Sequence, residues 1–197
     1  MSAVVFLTGS TGFLGSHIAR LLLQDADLTL IALVRAEDRE AAARRLARAW
    51  WDWPDLAAAI GSRVEALAGD VALPHLGLEE AAYADLVHRV THIVHAAGDL
   101  QLNAPLEELR HVNVQGTANV LDLARAAHRD HGLARLAHVS TAYVAGGRQG
   151  EIPEDSLSDA CGFASPYERS KYEGECLVQA AKEELPISVF RLKMCER

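Results

Sequence analysis

Tyr167 and Lys171 stand four residues apart in Tyr167-Glu-Arg-Ser-Lys171. On a helix that spacing puts both side chains on one face. A phenol has an ordinary pKa of about 10 and is a poor acid near neutrality. An ammonium beside it favours the phenolate and is expected to lower that pKa. The pair can then pass a proton to a carbonyl oxygen while hydride arrives at carbon. A third hydroxyl, Thr141, lies in the run His138 to Val144 and could hydrogen-bond the same oxygen, with Ser140 as its competitor. Tyrosine and lysine are common on helix surfaces, so the pair gains meaning only from the elements that position it.

The first of those elements opens the chain. Val4 to Leu7 is a short apolar run that leads into Gly9, Gly12 and Gly15, and an apolar helix is expected from Phe13 to Leu23. Glycine at such a turn allows the sharp reversal and lets the backbone approach a pyrophosphate. The helix N-terminus then offers free N–H groups and the positive end of its dipole. A strand before the motif and a helix after it make this a dinucleotide site rather than an ordinary glycine-rich turn.

Strands and helices alternate from there on. Further strands are expected at Leu28 to Val34, Arg63 to Leu67, Thr91 to His95, Leu133 to Ser140 and Ile187 to Leu192. Helices are expected at about Glu37 to Trp50, Glu79 to His88, Leu106 to His128 and Pro166 to Glu184. In the last of these Ser165 is the cap, Pro166 the first helical residue and Glu168 the partner that completes a capping box. Residues 141–164 read as loop. Six apolar strands separated by helices imply an α/β fold: a doubly wound parallel sheet with helices on both faces and ligand across the carboxyl ends of the strands.

Length and composition agree with one such domain of 197 residues, half of them hydrophobic. A net charge of −8 argues against a nucleic-acid surface. Cys161, Cys176 and Cys195 fit neither a metal spacing nor a disulfide framework, and read as reduced thiols of a cytoplasmic protein. The N-terminus has no targeting pattern, and no apolar run is long enough to span a bilayer. His88, His92 and His95 have metal-like spacing, but strand alternation sends His92 and His95 to opposite faces. Trp50, Trp51 and Trp53 read as packing at a helix end. Cofactor choice is read just beyond the second strand, where an acidic residue suits NAD(H) and an arginine suits the 2′-phosphate of NADP(H). Arg35 stands there, and Arg44 and Arg45 follow on the next helix, so NADP(H) is expected, with NAD(H) as the alternative.

The motifs together resemble the extended short-chain dehydrogenases/reductases, a Rossmann-fold family. Within it the chain looks most like the thioester reductase and fatty acyl-CoA reductase group. The matching segments are Thr8-Gly-Ser-Thr-Gly-Phe-Leu-Gly15, Gly69-Asp70, Leu76-Gly-Leu78, His95-Ala-Ala-Gly98, Asn113-Val-Gln-Gly-Thr117, Val139-Ser-Thr-Ala-Tyr-Val144 and Tyr167 with Lys171. The resemblance implies catalytic roles for Thr141, Tyr167 and Lys171. It implies cofactor contacts from Thr8, Gly9, Thr11, Gly12, Phe13, Leu14 and Gly15, from Arg35 and Arg45, from Asp70 and Val71 at the adenine, from Ala96, Ala97 and Gly98 at the middle of the cofactor, and from Asn113. Lys171 would also hold the nicotinamide ribose. No metal is implied.

What the resemblance implies for activity is NADPH-dependent reduction of an acyl thioester, on coenzyme A or a carrier protein, to aldehyde or alcohol. A nucleotide-sugar epimerase or dehydratase, and a non-catalytic dinucleotide-binding protein, are the alternatives. Family members continue well past the sixth strand, whereas this chain reads Phe190-Arg-Leu-Lys-Met-Cys-Glu-Arg197 and stops. The C-terminal substrate part is therefore expected to be missing, with weak NADPH binding, negligible turnover and self-association through the last strand. Neither a nucleic acid nor a membrane is an expected partner.

Overall fold

A computed structural model describes residues 3–193, so Cys195 lies outside the described residues. Six strands, β1 (Val4–Thr8), β2 (Thr29–Val34), β3 (Val64–Ala68), β4 (His92–His95), β5 (Arg135–Thr141) and β6 (Ile187–Leu192), form one sheet in the order β3-β2-β1-β4-β5-β6, and every pairing is parallel. The order reverses between β1 and β4. At such a switch point the loops leave the sheet in opposite directions and open a crevice above the strand ends.

The helices are α1 (Phe13–Leu22), α2 (Arg39–Ala49), α3 (Pro54–Ala58), α4 (Glu80–Arg89), α5 (Leu106–Arg110), α6 (Gly116–His131) and α7 (Pro166–Ala180). Successive strand residues face opposite sides, and both sides are apolar. Val5, Leu7, Leu30 and Ala32 pack with Ala19, Leu46 and Trp50, while Phe6, Ile31 and Ile93 pack with Val120, Leu123 and Val178. Each large side chain so buried stabilises the fold by about 1.5–3 kcal/mol. The cover thins at the β6 edge, where Phe190 and Leu192 are 51% and 43% exposed.

Three local departures from the sequence reading affect the site. The helix expected from Leu106 to His128 is interrupted by a π turn at His111–Gln115 and runs on to His131, where Gly132 ends it in the left-handed conformation. The wider turn frees the Asn113 carbonyl, which accepts a hydrogen bond from Thr117 Oγ1 at 2.8 Å. Ser165 caps α7 as expected, accepting from the Glu168 N–H at 3.2 Å, but Glu168 reaches past the cap to the Ala164 N–H at 2.9 Å. The short α3, opened by Pro54, lies between two expected elements where none was expected. No helix among the described residues is long and apolar enough to cross a membrane.

Candidate functional site

The crevice above the carboxyl ends of the strands is a cleft of about 680 Å³. The glycine turn forms its floor on one side. Gly9 takes φ +73°, and its Cα lies so close to the next loop that a Cβ there would sit 2.6 Å from the Ala96 carbonyl. A Cβ on Gly15 would sit 2.0 Å from Gly9 O, so the start of α1 packs directly on the turn. Gly12 differs: only Gly9 O, at 3.3 Å, lies near its Cβ position, and beyond it the cleft is open. That cradle, which a side chain would fill, fits the close approach of a pyrophosphate to backbone N–H groups at the start of α1. The turn is held from beneath by the fully buried Trp50, whose indole N–H donates to Ser10 O at 3.0 Å.

Thr8, Thr11, Phe13, Leu14, Arg35, Arg45, Asp70, Val71, Ala96, Ala97, Gly98, Thr141, Tyr167 and Lys171 all line this cleft with the three glycines. Arg35 is exposed at its rim, and Arg45 reaches back from α2 to donate to Arg35 O at 2.8 Å. Arg44 instead pairs with Glu40 on the outside of the same helix. Asp70 is set by its N–H, which donates to Leu76 O at 2.8 Å, and by its carboxylate, which accepts from the Ala72 N–H at 2.9 Å. His75 and Leu76 both adopt positive φ to form that turn, and Asn119 clamps it through the carbonyls of Val71 and Leu73.

Asn113 is the one expected site residue outside the cleft lining. It is buried behind the Gly98–Asp99 backbone, where its side chain accepts from the Asp99 N–H at 2.8 Å and donates to Asp99 O at 3.0 Å and Ser170 Oγ at 2.9 Å. It thus ties the loop after β4 to α7. His95 makes a second tie. Thr117 donates to Asn113 O and so accepts from His95 Nε2, at 3.2 Å, while Thr8 Oγ1, which accepts from the Ala97 N–H, donates to His95 Nδ1 at 2.8 Å. The neutral ring this requires matches its pKa, pushed down to about 3 by burial and then by the Lys171 charge. The three spaced histidines separate: His88 faces Asp130, His92 faces Thr91, and His95 is interior.

Tyr167 and Lys171 lie on the buried face of α7, and Thr141 ends β5 beside them. The electrostatics differ from the expected pairing. Burial raises the Tyr167 pKa above its ordinary value, Thr141 beside it lowers it and Tyr143 raises it. Lys171 is not among the groups that shift it; its Nζ donates to the Val139 carbonyl at 3.1 Å. Burial pushes the Lys171 pKa down to about 8, against an upward pull from Glu175. Tyr167 is therefore a protonated phenol across the neutral range, the form that can give a proton. Of the two candidate hydroxyls, Ser140 Oγ donates to Glu175 Oε2 at 2.5 Å, whereas Thr141 Oγ1 stands beside the Tyr167 hydroxyl and accepts a long contact, 3.3 Å, from the Tyr143 N–H.

Comparison with known proteins agrees with this fold. The family profile described as Male sterility protein matches residues 7–196. The chain is 33% identical over 197 residues to the L-2-aminoadipate reductase large subunit of Penicillium chrysogenum, covering 90% of this chain and 14% of that protein. Its fold superposes on the terminal R domain of the myxalamid PKS-NRPS pathway with a TM-score of 0.87 at 29% identity, covering 97% of this chain and 49% of that one. It superposes on the reductase (R) domain of a non-ribosomal peptide synthetase from Mycobacterium tuberculosis with a TM-score of 0.79 at 34% identity, covering 98% and 48%. The chain thus spans about half of the solved reductase-domain chains and a small part of the curated relative.

Proposed function

Because the chain belongs to the Male sterility protein family of NAD(P)-binding domains, the thioester-reductase group of the extended short-chain dehydrogenases/reductases, we propose that it reduces an acyl thioester with NADPH. The observation that carries this reading is that Thr141, Tyr167 and Lys171 line the same cleft as the open Gly12 cradle. Residues 1–197 are read as the NAD(P)-binding domain of such a reductase, working in the cytoplasm on a thioester carried by a carrier protein or coenzyme A. The reductases among its relatives favour this over a nucleotide-sugar substrate.

When bound, the reduced nicotinamide supplies the hydride. The rest is done by the chain's own residues. The turn Gly9–Gly15 and the N-terminus of α1 hold the pyrophosphate, and Asp70 and Val71 flank the adenine. Arg35 and Arg45 offer two guanidinium groups to a 2′-phosphate, which supports NADPH over NADH. Lys171 holds the nicotinamide ribose as a buried donor. Thr141 hydrogen-bonds the thioester oxygen, and Tyr167 gives that oxygen its proton as charge develops on it.

Replacing Tyr167 with Phe tests the proposal. It removes one hydroxyl, so NADPH affinity measured by fluorescence is expected to stay unchanged. In a chain extended to full family length, NADPH oxidation with an acyl-CoA thioester is expected to fall by roughly 10²–10⁴-fold, the contribution of a positioned general acid. An unchanged rate would remove Tyr167 from the chemistry.

A further inference from the structure

The buried face of α7 carries a third ionisable residue at the helical spacing of the first two. Glu175 lies one turn beyond Lys171 and two beyond Tyr167, and it is completely buried. Its carboxylate is saturated. Arg191, on β6, donates from Nη2 to Oε1 at 2.6 Å and from Nε to both oxygens at 3.0 and 3.2 Å. Ser140, at the end of β5, donates to Oε2 at 2.5 Å, and Gln179 donates to Oε1 at 3.0 Å. Arg191 in turn donates from Nη1 to Ser156 O at 3.2 Å, in the segment that joins Thr141 to Tyr167. A carboxylate taken wholly out of water is costly unless it is paired and hydrogen-bonded throughout. Here every donor comes from an element that carries or borders the reacting residues.

Resting on the reductase reading above, we propose that Glu175 is a positioning residue of the site: its buried carboxylate, fixed by Arg191 and Ser140, is the counter-charge that keeps Lys171 an ammonium inside the protein. Lys171 needs one. It is 6% exposed, and the only hydrogen bond its Nζ makes among the described residues is to the neutral Val139 carbonyl. The other titratable groups around it do not supply an anion on the interior side. Tyr167 on α7 is a protonated phenol, His95 on β4 and His138 on β5 are neutral rings, Arg191 on β6 is a cation, and Asp99 lines the solvent-facing cleft. Burial alone pulls the lysine toward its neutral form, and Glu175 opposes that pull. The carboxylate itself stays ionised: burial raises its pKa, but the hydrogen bonds from Arg191, Ser140 and Gln179 together outweigh burial and hold it below the ordinary value. An ammonium held in this way can bind ribose hydroxyls as a donor, which a neutral amine does poorly.

The chain has three lysines, Lys171, Lys182 and Lys193, so each can be followed by NMR in protein labelled with 13C at the lysine Cε. This titration needs neither cofactor nor substrate, so its outcome is separate from the fate of the reductase reading. In the unaltered protein Lys171 is expected to titrate near its depressed value of about 8. In Glu175→Gln the midpoint is expected to fall by about one unit or more, the usual effect of removing a nearby opposite charge. Loss of packing alone would expose Lys171 and move its midpoint the other way, toward the ordinary lysine value. Since Glu175→Gln leaves the half-buried Arg191 without its carboxylate, the double variant E175M/R191M is the second arm: an apolar pair of similar volume commonly preserves stability where an ion pair is removed. A lowered Lys171 midpoint in the double variant, with Lys182 unmoved, upholds the proposal. An unchanged or raised midpoint in the double variant overturns it, whatever the single variant does.

Discussion

Gly12 and Gly15 sit three residues apart in the same turn, and the structure predicts opposite failures for them. At Gly15 a Cβ would lie 2.0 Å from Gly9 O, 2.6 Å from Gly9 C and 3.0 Å from Ser10 Cα. Ordinary contact begins at about 3.4 Å, and all three obstacles are backbone atoms that cannot rotate away. Gly15→Ala must therefore push α1 off the turn, an overpacking cost of about 1–3 kcal/mol or more. For a chain of this size 1 kcal/mol is about 2–4 °C in Tm, so a fall of roughly 2–12 °C is expected, with loss of NADPH binding as the turn distorts. Gly12 has φ −85° and ψ 167°, ordinary extended backbone, and its Cβ position meets only Gly9 O at 3.3 Å. It is the N-cap of α1 without a side-chain hydrogen bond, and valine caps less well than glycine, so Gly12→Val is expected to cost about 1 kcal/mol of fold stability. The valine methyls would occupy the phosphate cradle, and NADPH binding should be lost while Tm moves by less than about 4 °C. Thermal melts by circular dichroism and NADPH fluorescence titrations on both variants check this. Full NADPH affinity in Gly12→Val would refute the cradle, and an unaltered Tm in Gly15→Ala would refute the packing argument.

Arg35→Ala is expected to weaken NADPH binding by roughly tenfold, the lower end for a charged hydrogen bond because the guanidinium is exposed, and to leave NADH binding unchanged; calorimetry with both cofactors decides it. The two buried histidines predict acid sensitivity. The pKa of His95 is pushed down to about 3 and that of His138 well below 6.5, chiefly by burial, so below pH 6.5 the unfolded chain takes up protons that the folded chain refuses. Stability is full above that pH and falls beneath it, by a slope approaching about 1.4 kcal/mol per pH unit for each ring. Urea melts at pH 7 and pH 5 measure the slope. Because both ring nitrogens of His138 lack hydrogen-bond partners among the described residues, His138→Leu is expected to fold and to remove about half of that slope. A slope equal to that of the unaltered protein would show that His138 does not titrate on unfolding.

What could be read from the sequence was what local spacing decides. The glycine turn, the six apolar strands and the Tyr167–Lys171 pair are each specified within a few residues, whereas the order of the strands in the sheet comes from the structure. Residues whose role depends on a distant neighbour were hidden. Trp50 reads as packing at a helix end, and nothing local says that its N–H holds the Ser10 carbonyl forty residues earlier. Asn113 was expected at the cofactor, yet the π turn rotates it behind the loop after β4. The sign of the Tyr167 shift was misjudged because burial, which raises it, cannot be read from a four-residue spacing, and because that spacing does not aim the lysine, whose Nζ donates to the Val139 carbonyl. Glu175 carried a usable signal: an acid in register with Tyr167 and Lys171 shares their buried face, and a buried acid needs a basic partner.

The central strand has a kinetic consequence. β1 is made first, but its partner on one side is β4, and Thr8 meets His95 across 87 positions of sequence. The seat of Gly9 is the Ala96–Ala97 backbone, so the glycine turn has no finished shape until β4 has docked. Parallel pairing across so long a span is a late event, because the closure entropy must be met before the contacts reward it. A nucleotide can then recognise only the completed sheet. It adds its binding energy to the native state and little to the folding transition state. Added NADPH will slow the rate at which the protein unfolds and leave the rate at which it folds almost untouched.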